Sequence, residues 1–251
     1  QIIRGAYYRT LSDNNRIKTV VIHAPRGIVF DRNGVPLVYN TPGFRENPAS
    51  GGGKTKFLSQ EDAISLIAQG KNNLEVDALR QYPFKDSFTH VLGYVGQISK
   101  EELNFKEFQN YKASDAVGKM GIEQKYENQL KGHDGKKLIE VDNLGREIRT
   151  IGQEDPISGK NITVTLDSSL QKTAFAALDN WKKGAIIVST PKGEILALVS
   201  KPSFDPNLFT MGENYETDLN ESYKNVSDVL LDDNNQPFLN RAISGTYPPG
   251  S

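Results

Sequence analysis

Two nearly continuous apolar runs, Gly184-Ala-Ile-Ile-Val-Ser189 and Glu194-Ile-Leu-Ala-Leu-Val-Ser200, stand on either side of Thr190-Pro191-Lys192-Gly193. A strand that alternates polar and apolar residues can leave one face in water, whereas a continuously apolar one must be covered on both. The pair reads as a β-hairpin with a proline-initiated turn, and its sheet demands helices on both faces. One cover lies just upstream. After a short strand at 162–166, Ser168 with Gln171 reads as a capping box, and Leu170, Ala174, Leu178 and Trp181 lay an apolar stripe along a helix. No second cover follows, because residues 213–236 are acidic and polar, with Asp218, Glu221, Asp228, Asp232 and Asp233, and read as a surface excursion rather than a carboxylate site. Exposed edges and a bare apolar face are therefore expected, with disorder or association in solution unless another copy covers them.

Upstream the pattern changes. The runs Thr19-Val-Val-Ile-His23, Ile28-Val29-Phe30 and Val35 to Tyr39 are β-rich, and Asn33-Gly34, within Asp31-Arg32-Asn33-Gly34, is a strong hairpin signal. Residues 48–56 carry Ser50-Gly51-Gly52-Gly53 and read as a linker. Ser59 with Asp62 starts a helix with Ala63, Ile64, Ile67 and Ala68 on its face, stopped by Gly70. Ser99 with Glu102 starts a short helix, while Ile122, Tyr126 and Leu130 mark another that Gly132 ends. Residues 137–142 and 147–151 flank Asn143-Leu144-Gly145-Arg146 as a second hairpin. The predicted architecture is α+β: an extended β-rich domain over 1–160, then part of a second domain over 161–251.

Composition closes off several functions. Thirty Lys and Arg against 31 Asp and Glu leave a net charge of -1, which argues against a general nucleic-acid binder. A local basic stretch of Arg4, Arg9, Arg16, Lys18 and Arg26 suits anionic headgroups and a solvated face equally. The absence of cysteine excludes thiol nucleophiles, thiolate metal sites and disulfides. His23, His90 and His133 lack metal-ligand spacing and are expected to be packed or surface residues, so neither metal nor cofactor is assigned. No apolar run reaches the roughly 20 residues of a spanning helix, and the first residue is Gln1, so the natural N-terminus is expected to have been removed.

Several short motifs then occur in one order. They are Arg26-Gly27 with Asp31-Arg32-Asn33-Gly34, then Arg80-Gln81-Tyr82-Pro83, then Gly118-Lys-Met-Gly121-Ile-Glu123 followed by Tyr126, Leu130 and Gly132. Gly193-Glu194-Ile-Leu-Ala, Pro202-Ser203-Phe204-Asp205-Pro206-Asn207 and Asn240-Arg241-Ala242 to Ser251 complete the series. In this order the chain resembles the class B, monofunctional penicillin-binding proteins, most closely the elongation-type penicillin-binding protein 2 group. The first three motifs are similar to that family's N-terminal pedestal, or dimerisation-like, motifs. The last three resemble the opening of its α/β transpeptidase domain and the approach to its active serine.

The resemblance implies a peptidoglycan D,D-transpeptidase of cell-wall elongation, a β-lactam target held in the bacterial inner membrane by a single removed N-terminal helix, with its bulk periplasmic or extracellular. Ser251 would be the nucleophile of a Ser-x-x-Lys motif. A lysine three residues on lies one helical turn away, where, desolvated, it can take the hydroxyl proton. Ser251 is the final residue, so its lysine partner is missing and the polypeptide as it stands is expected to be inactive. Between Phe44 and Glu75 the family has a longer membrane-distal head, which is expected to be shortened here at 48–56.

The pedestal residues Arg26, Asp31, Arg32, Arg80 and Glu123 contain no acid/base pair at fixed local spacing and are expected to form a salt-bridged joint between subdomains. Gly27, Gly34, Gly118, Gly121 and Pro83 are expected to serve turns or close packing. A rival reading makes this stretch a non-catalytic interaction module docking onto a membrane glycan polymerase or a shape-determining scaffold. The other partners implied are peptidoglycan stem peptides and β-lactams.

Overall fold

The computed structural model describes residues 16–46, 55–71, 74–142, 146–212, 214–218 and 222–246. β1 (Ile17–Ile22) is followed by β2 (Val29–Phe30) and β3 (Pro36–Glu46). Between the last two, the Asp31 carboxylate accepts the N–H groups of Asn33 and Val35 at 2.7 and 2.8 Å, and Gly34 takes a φ of 82°. The chain thereby reverses and sets Val29 opposite Val38. β3 serves two neighbourhoods. Its start pairs with β2, and its end holds both β4 (Lys56–Leu58) and β5 (Leu74–Gln81), all antiparallel.

α1 (Gln60–Ala68) connects β4 to β5, capped by Ser59, whose hydroxyl accepts the Asp62 N–H at 3.1 Å. Of its expected apolar face only Ala63 is buried, while Ile64 and Ile67 are about half exposed. A nine-residue helix resting on β3 and β4 from one side has room to bury a single small residue. The chain continues through α2 (Thr89–Leu92), β6 (Val95–Gln97), β7 (Ala116–Gly118), α3 (Gly121–Lys125) and α4 (Glu127–Leu130). The Ser99 and Glu102 box forms in both directions, at 3.2 and 2.7 Å. The helix expected through Ile122, Tyr126 and Leu130 is instead two, broken at Tyr126. Leu130 is buried as expected, but Glu123 and Glu127 turn inward with it while Tyr126 faces out, because the carboxylates have buried cations to meet.

β8 (Gly135–Val141) pairs with β1 and with β9 (Glu147–Glu154) to form a three-stranded antiparallel sheet. The intervening Asn143-Leu144-Gly145 lies outside the described residues. β10 (Ile162–Thr163) then returns to the first sheet and pairs with β2 in parallel. Leu166 joins Val29, Leu37, Val38, Tyr82, Phe88, Leu92 and Leu130 in one core. The residues after 160 are thus built onto the same sheet as the residues before it.

α5 (Ser168–Ala176) starts differently from the expected capping box. Its N-cap is Asp167, which accepts the N–H groups of Ser169 and Leu170 at 3.0 Å each, and the Ser168 N–H goes to Asp31 at 3.2 Å. Gln171 is drawn away to the hairpin of β11 (Gly184–Ser189) and β12 (Ile195–Lys201). There it accepts the Leu198 N–H and donates to the Leu198 carbonyl, both at 2.8 Å. With Asp167 N–H on Leu196 O, this closes the outer edge of β12.

α5 covers one face of the hairpin, where Ala174 and Leu178 meet Ala197, Val199, Ile186 and Val188. Trp181, expected on that stripe, is 66% exposed because the helix has already ended at Ala176. Contrary to the expectation that no second cover follows, Arg241–Ser244 packs against both β11 and β12, although Ile187 stays half exposed. The acidic stretch is anchored more firmly than its polarity suggests. α6 (Val226–Leu230) buries Val229, and Tyr223 packs with Phe204 and Leu208 in a further core. α7 (Arg241–Ser244) closes the described chain.

Candidate functional site

Arg26, Arg80 and Glu123 come together in the interior. Glu123 is fully buried, and its Oε2 accepts both Nε and Nη2 of Arg26, at 3.2 and 2.7 Å. Its Oε1 accepts Arg80 Nε at 2.6 Å. Glu127, which the motif reading omitted, completes the cluster by accepting Arg26 Nη1 and Nη2 at 3.2 and 2.8 Å and the Gly118 N–H at 2.9 Å. Its signal was available, since it follows Glu123 at the (i, i+4) spacing that puts two side chains on one helix face. Burial pushes the Glu123 carboxyl up, but the Arg80 and Arg26 charges outweigh it and hold the group below its ordinary value. For Arg26, burial acts against the cation and the two glutamates overcome it, raising the guanidinium further. Tyr82 is raised by burial and by the charge of Glu123.

Asp31 and Arg32 are elsewhere. Asp31 is fully buried at the β2–β3 turn, where it ties that turn to the first residue of α5. Burial opposes its charge, yet the hydrogen bonds from Val35 and Ser168 keep its pKa below the usual value. The Arg32 side chain is exposed, and only its backbone N–H is engaged, with Leu166 O at 3.0 Å. The salt-bridged joint therefore contains neither residue. Gly118 is packed so closely on the Glu123 backbone that a Cβ would lie 2.2 Å from it, and Gly27 lies as closely against Lys160. Gly121 begins α3, and Pro83 is exposed at the end of its motif.

A second set of contacts joins this region to the residues after 200. Asn207 pairs with the backbone of Tyr82, Thr210 Oγ1 donates to Arg80 O at 2.6 Å, and Thr89 Oγ1 to Phe204 O at 2.6 Å. The Asp205 carboxylate accepts the Asn207 N–H at 2.9 Å and the Tyr215 hydroxyl at 2.7 Å. Further along, His90 is buried and bonds the Pro237 carbonyl at 2.9 Å, and burial lowers its pKa to about 4, so the ring is neutral and donates. Arg241 donates to the carbonyls of Asn235, Gln236 and Leu239, and its N–H goes to Ser200 Oγ. Residues 235–241, the approach to Ser251, are thus clamped between α2 and β12. Ser251 itself lies outside the described residues, as do Ser50-Gly51-Gly52-Gly53. Among the described residues no cluster of His, Asp and Glu is placed to hold a metal ion, and no helix is long and apolar enough to cross a membrane.

Two family models match. Residues 53–164 match the penicillin-binding protein dimerisation domain, and residues 184–251 the penicillin-binding protein transpeptidase domain. The chain is 35% identical to the peptidoglycan D,D-transpeptidase MrdA of Escherichia coli (strain K12), over 100% of this chain and 46% of that protein. It spans about half the length of the curated relatives it matches. The crystal structure of Pseudomonas aeruginosa PBP2 in complex with WCK 5153 superposes with a TM-score of 0.58 at 33% identity, covering 93% of this chain and 39% of that one. A structure described as the structural coordination of polymerization and crosslinking by a peptidoglycan synthase complex gives a TM-score of 0.63 at 27% identity, covering 90% of this chain and 45% of that one.

Proposed function

The chain belongs to the class B penicillin-binding proteins of the penicillin-binding protein 2 group, and on that premise we propose that it is the pedestal and transpeptidase opening of a peptidoglycan D,D-transpeptidase. The observation that carries this is the succession in one chain of a dimerisation domain and a transpeptidase domain, clamped together through Arg80 to Thr89. We divide the domains at 160 and 161.

In this reading Ser251 attacks the carbonyl carbon of the penultimate D-Ala of a stem peptide while a lysine takes the hydroxyl proton. The tetrahedral oxyanion is stabilised by backbone N–H groups, and its collapse releases the terminal D-Ala, whose amine is protonated as it leaves. The amine of a second stem peptide then attacks the acyl-serine, forming the crosslink and returning the proton to the serine. A β-lactam acylates the same hydroxyl. Arg26, Arg80, Glu123 and Glu127 take no part in this chemistry. Their role is to hold the pedestal against the segment that leads to Ser251.

The test is covalent labelling of the whole gene product by a fluorescent penicillin. Labelling is expected for the native protein and absent for Ser251→Ala, and the third residue after Ser251 is expected to be lysine. A label that survives Ser251→Ala overturns the reading.

The pedestal also docks, in our reading, onto a membrane glycan polymerase and a shape-determining scaffold, in a protein anchored in the bacterial inner membrane with its bulk outside the cytoplasm. The half-exposed Ile17, Leu138, Ile148 and Ile151 on the sheet of β1, β8 and β9 support this, being apolar area that water disfavours. The comparison with a peptidoglycan synthase complex points the same way. Retention by the polymerase's extracellular segments in a pull-down, lost on Ile148→Lys with Ile151→Lys, checks it.

A further inference from the structure

Arg241 is buried, with 7% of its surface exposed, and among the described residues it meets no carboxylate. Its guanidinium is held by backbone alone: Nη2 donates to Asn235 O at 2.6 Å, and Nη1 to Gln236 O and Leu239 O at 3.3 and 3.4 Å. A buried charge without a counter-ion costs free energy, and an apolar side chain of similar length would fill the same space without that cost. Packing therefore does not call for an arginine here. What the guanidinium adds is direction, because its planar fork reaches three carbonyls at fixed angles where a lysine ammonium is a single point.

The segment so held is one that needs holding. Gln236 takes a φ of 49°, in the left-handed region that a non-glycine residue rarely adopts. Its neighbours are fixed from β12 and from α2. Ser200 Oγ accepts the Arg241 N–H at 3.0 Å and donates to Leu239 O at 3.3 Å. His90 Nε2 donates to Pro237 O at 2.9 Å, and Asn240 donates to His90 O at 3.3 Å while its Oδ1 accepts the Ala242 N–H at 3.1 Å. α7 starts at Arg241 itself and rests on both strands of the hairpin. From there ten residues lead to Ser251, and two of them, Pro248 and Pro249, have φ fixed by their rings. The place and direction in which that link leaves the hairpin are set at Arg241.

We propose that Arg241 is a positioning residue for acylation: by fixing residues 235–241 on the hairpin it sets where the link to Ser251 begins, and so how the hydroxyl is presented to the acyl carbonyl. The inference rests on the acyl-transfer reading and adds to it a residue that acts through the chain rather than on the reacting atoms. A nucleophile misplaced by about 1 Å can lose roughly a hundredfold in rate.

The experiment follows acylation of the whole gene product by a fluorescent penicillin over time, so that the rate constant and the fraction labelled at completion are read separately. Arg241→Met, which keeps most of the side chain's length and removes the fork, should label to the native extent at a rate about 10–100-fold lower. Arg241→Lys should also be slow, because one nitrogen cannot serve three carbonyls. Leu79→Ala, in the pedestal core, loses stability without touching this segment and should label at the native rate. A native rate in Arg241→Met or Arg241→Lys, a loss confined to the fraction labelled, or an equal slowing in Leu79→Ala overturns the proposal. Should Arg241→Met fail to fold, Ser200→Ala decides, since it removes only the hydroxyl between the Arg241 N–H and Leu239 O. A rate roughly threefold lower or worse is then expected, and the native rate overturns the proposal. A label that survives Ser251→Ala counts against the acyl-transfer reading instead, whereas fast labelling at Ser251 in the Arg241 variants counts against this inference alone.

Discussion

The side-chain amide of Asn207 meets the backbone of Tyr82 as a neighbouring strand would, accepting its N–H at 2.9 Å and donating to its carbonyl at 2.9 Å. Asn207 and Tyr82 are both buried, so no water stands ready to replace either bond. The pair fastens the segment after β12 to the residue that follows β5, two positions from Arg80 and its ion network. Asn207→Ala is expected to cost about 2–3 kcal/mol, because two buried backbone groups lose their partner. Asn207→Asp should cost at least as much, since a carboxylate cannot donate to the Tyr82 carbonyl and would face Asp205. Urea denaturation of the variants measures both.

Glu123→Gln leaves Arg26 and Arg80 buried with one carboxylate between them, and a loss of about 3–5 kcal/mol is expected. The double variant Glu123→Gln with Arg80→Met should lose less than the sum of the single variants, which a double-mutant cycle reads directly. Arg32→Ala, at an exposed side chain in the same family motif, should stay within about 0.5 kcal/mol of the native protein.

His90 makes stability fall in mild acid. Its folded pKa of about 4 lies below the ordinary 6.5, chiefly through burial, with Arg241 adding to the effect. The unfolded chain therefore binds the proton first. The neutral ring's contribution is complete above pH 6.5 and is lost as pH falls towards 4, by about 3 kcal/mol at most. His90→Gln should flatten the dependence between those limits, as measured by denaturation midpoints at several pH values.

Asp86 has the opposite sign. Burial raises its carboxyl to about 6, Lys201 and Lys85 act against that rise, and Asp205 and Asp179 add to it. Its folded pKa lies above the unfolded value, so its contribution is complete below about pH 4 and is lost as pH rises through 6. Asp86→Asn should stabilise the protein at pH 7.5 by about 2 kcal/mol, a figure discounted for its partial exposure, with little change at pH 4. Thermal unfolding at the two pH values separates this outcome from a uniform effect.

Local features were legible along the chain. The turn at Asp31-Arg32-Asn33-Gly34, the Ser59 and Ser99 caps and the hairpin around Pro191 each depend on atoms within about five residues of one another, so residue type and spacing are enough to announce them. The grouping of Arg26, Arg80 and Glu123 followed from motif order. What could not be read is which buried atoms those groups would reach. Gln171 has the spacing of a capping residue and serves as an edge for β12 instead. Asp31 and Arg32 sit in one motif with Arg26 and end up in different surroundings.

The amino-acid order alone determined the element types, the turn chemistry and the family, because these rest on periodicity, backbone preference and a succession of short motifs. Only tertiary structure decided which arginine hydrogens Glu127 accepts, that Asn207 binds Tyr82 and that Nη2 of Arg80 has no acceptor among the described residues. Those pairings join residues up to 125 positions apart, and burial makes every unmade bond among them costly. Which donor meets which acceptor is therefore settled by how the sheets and helices close on one another.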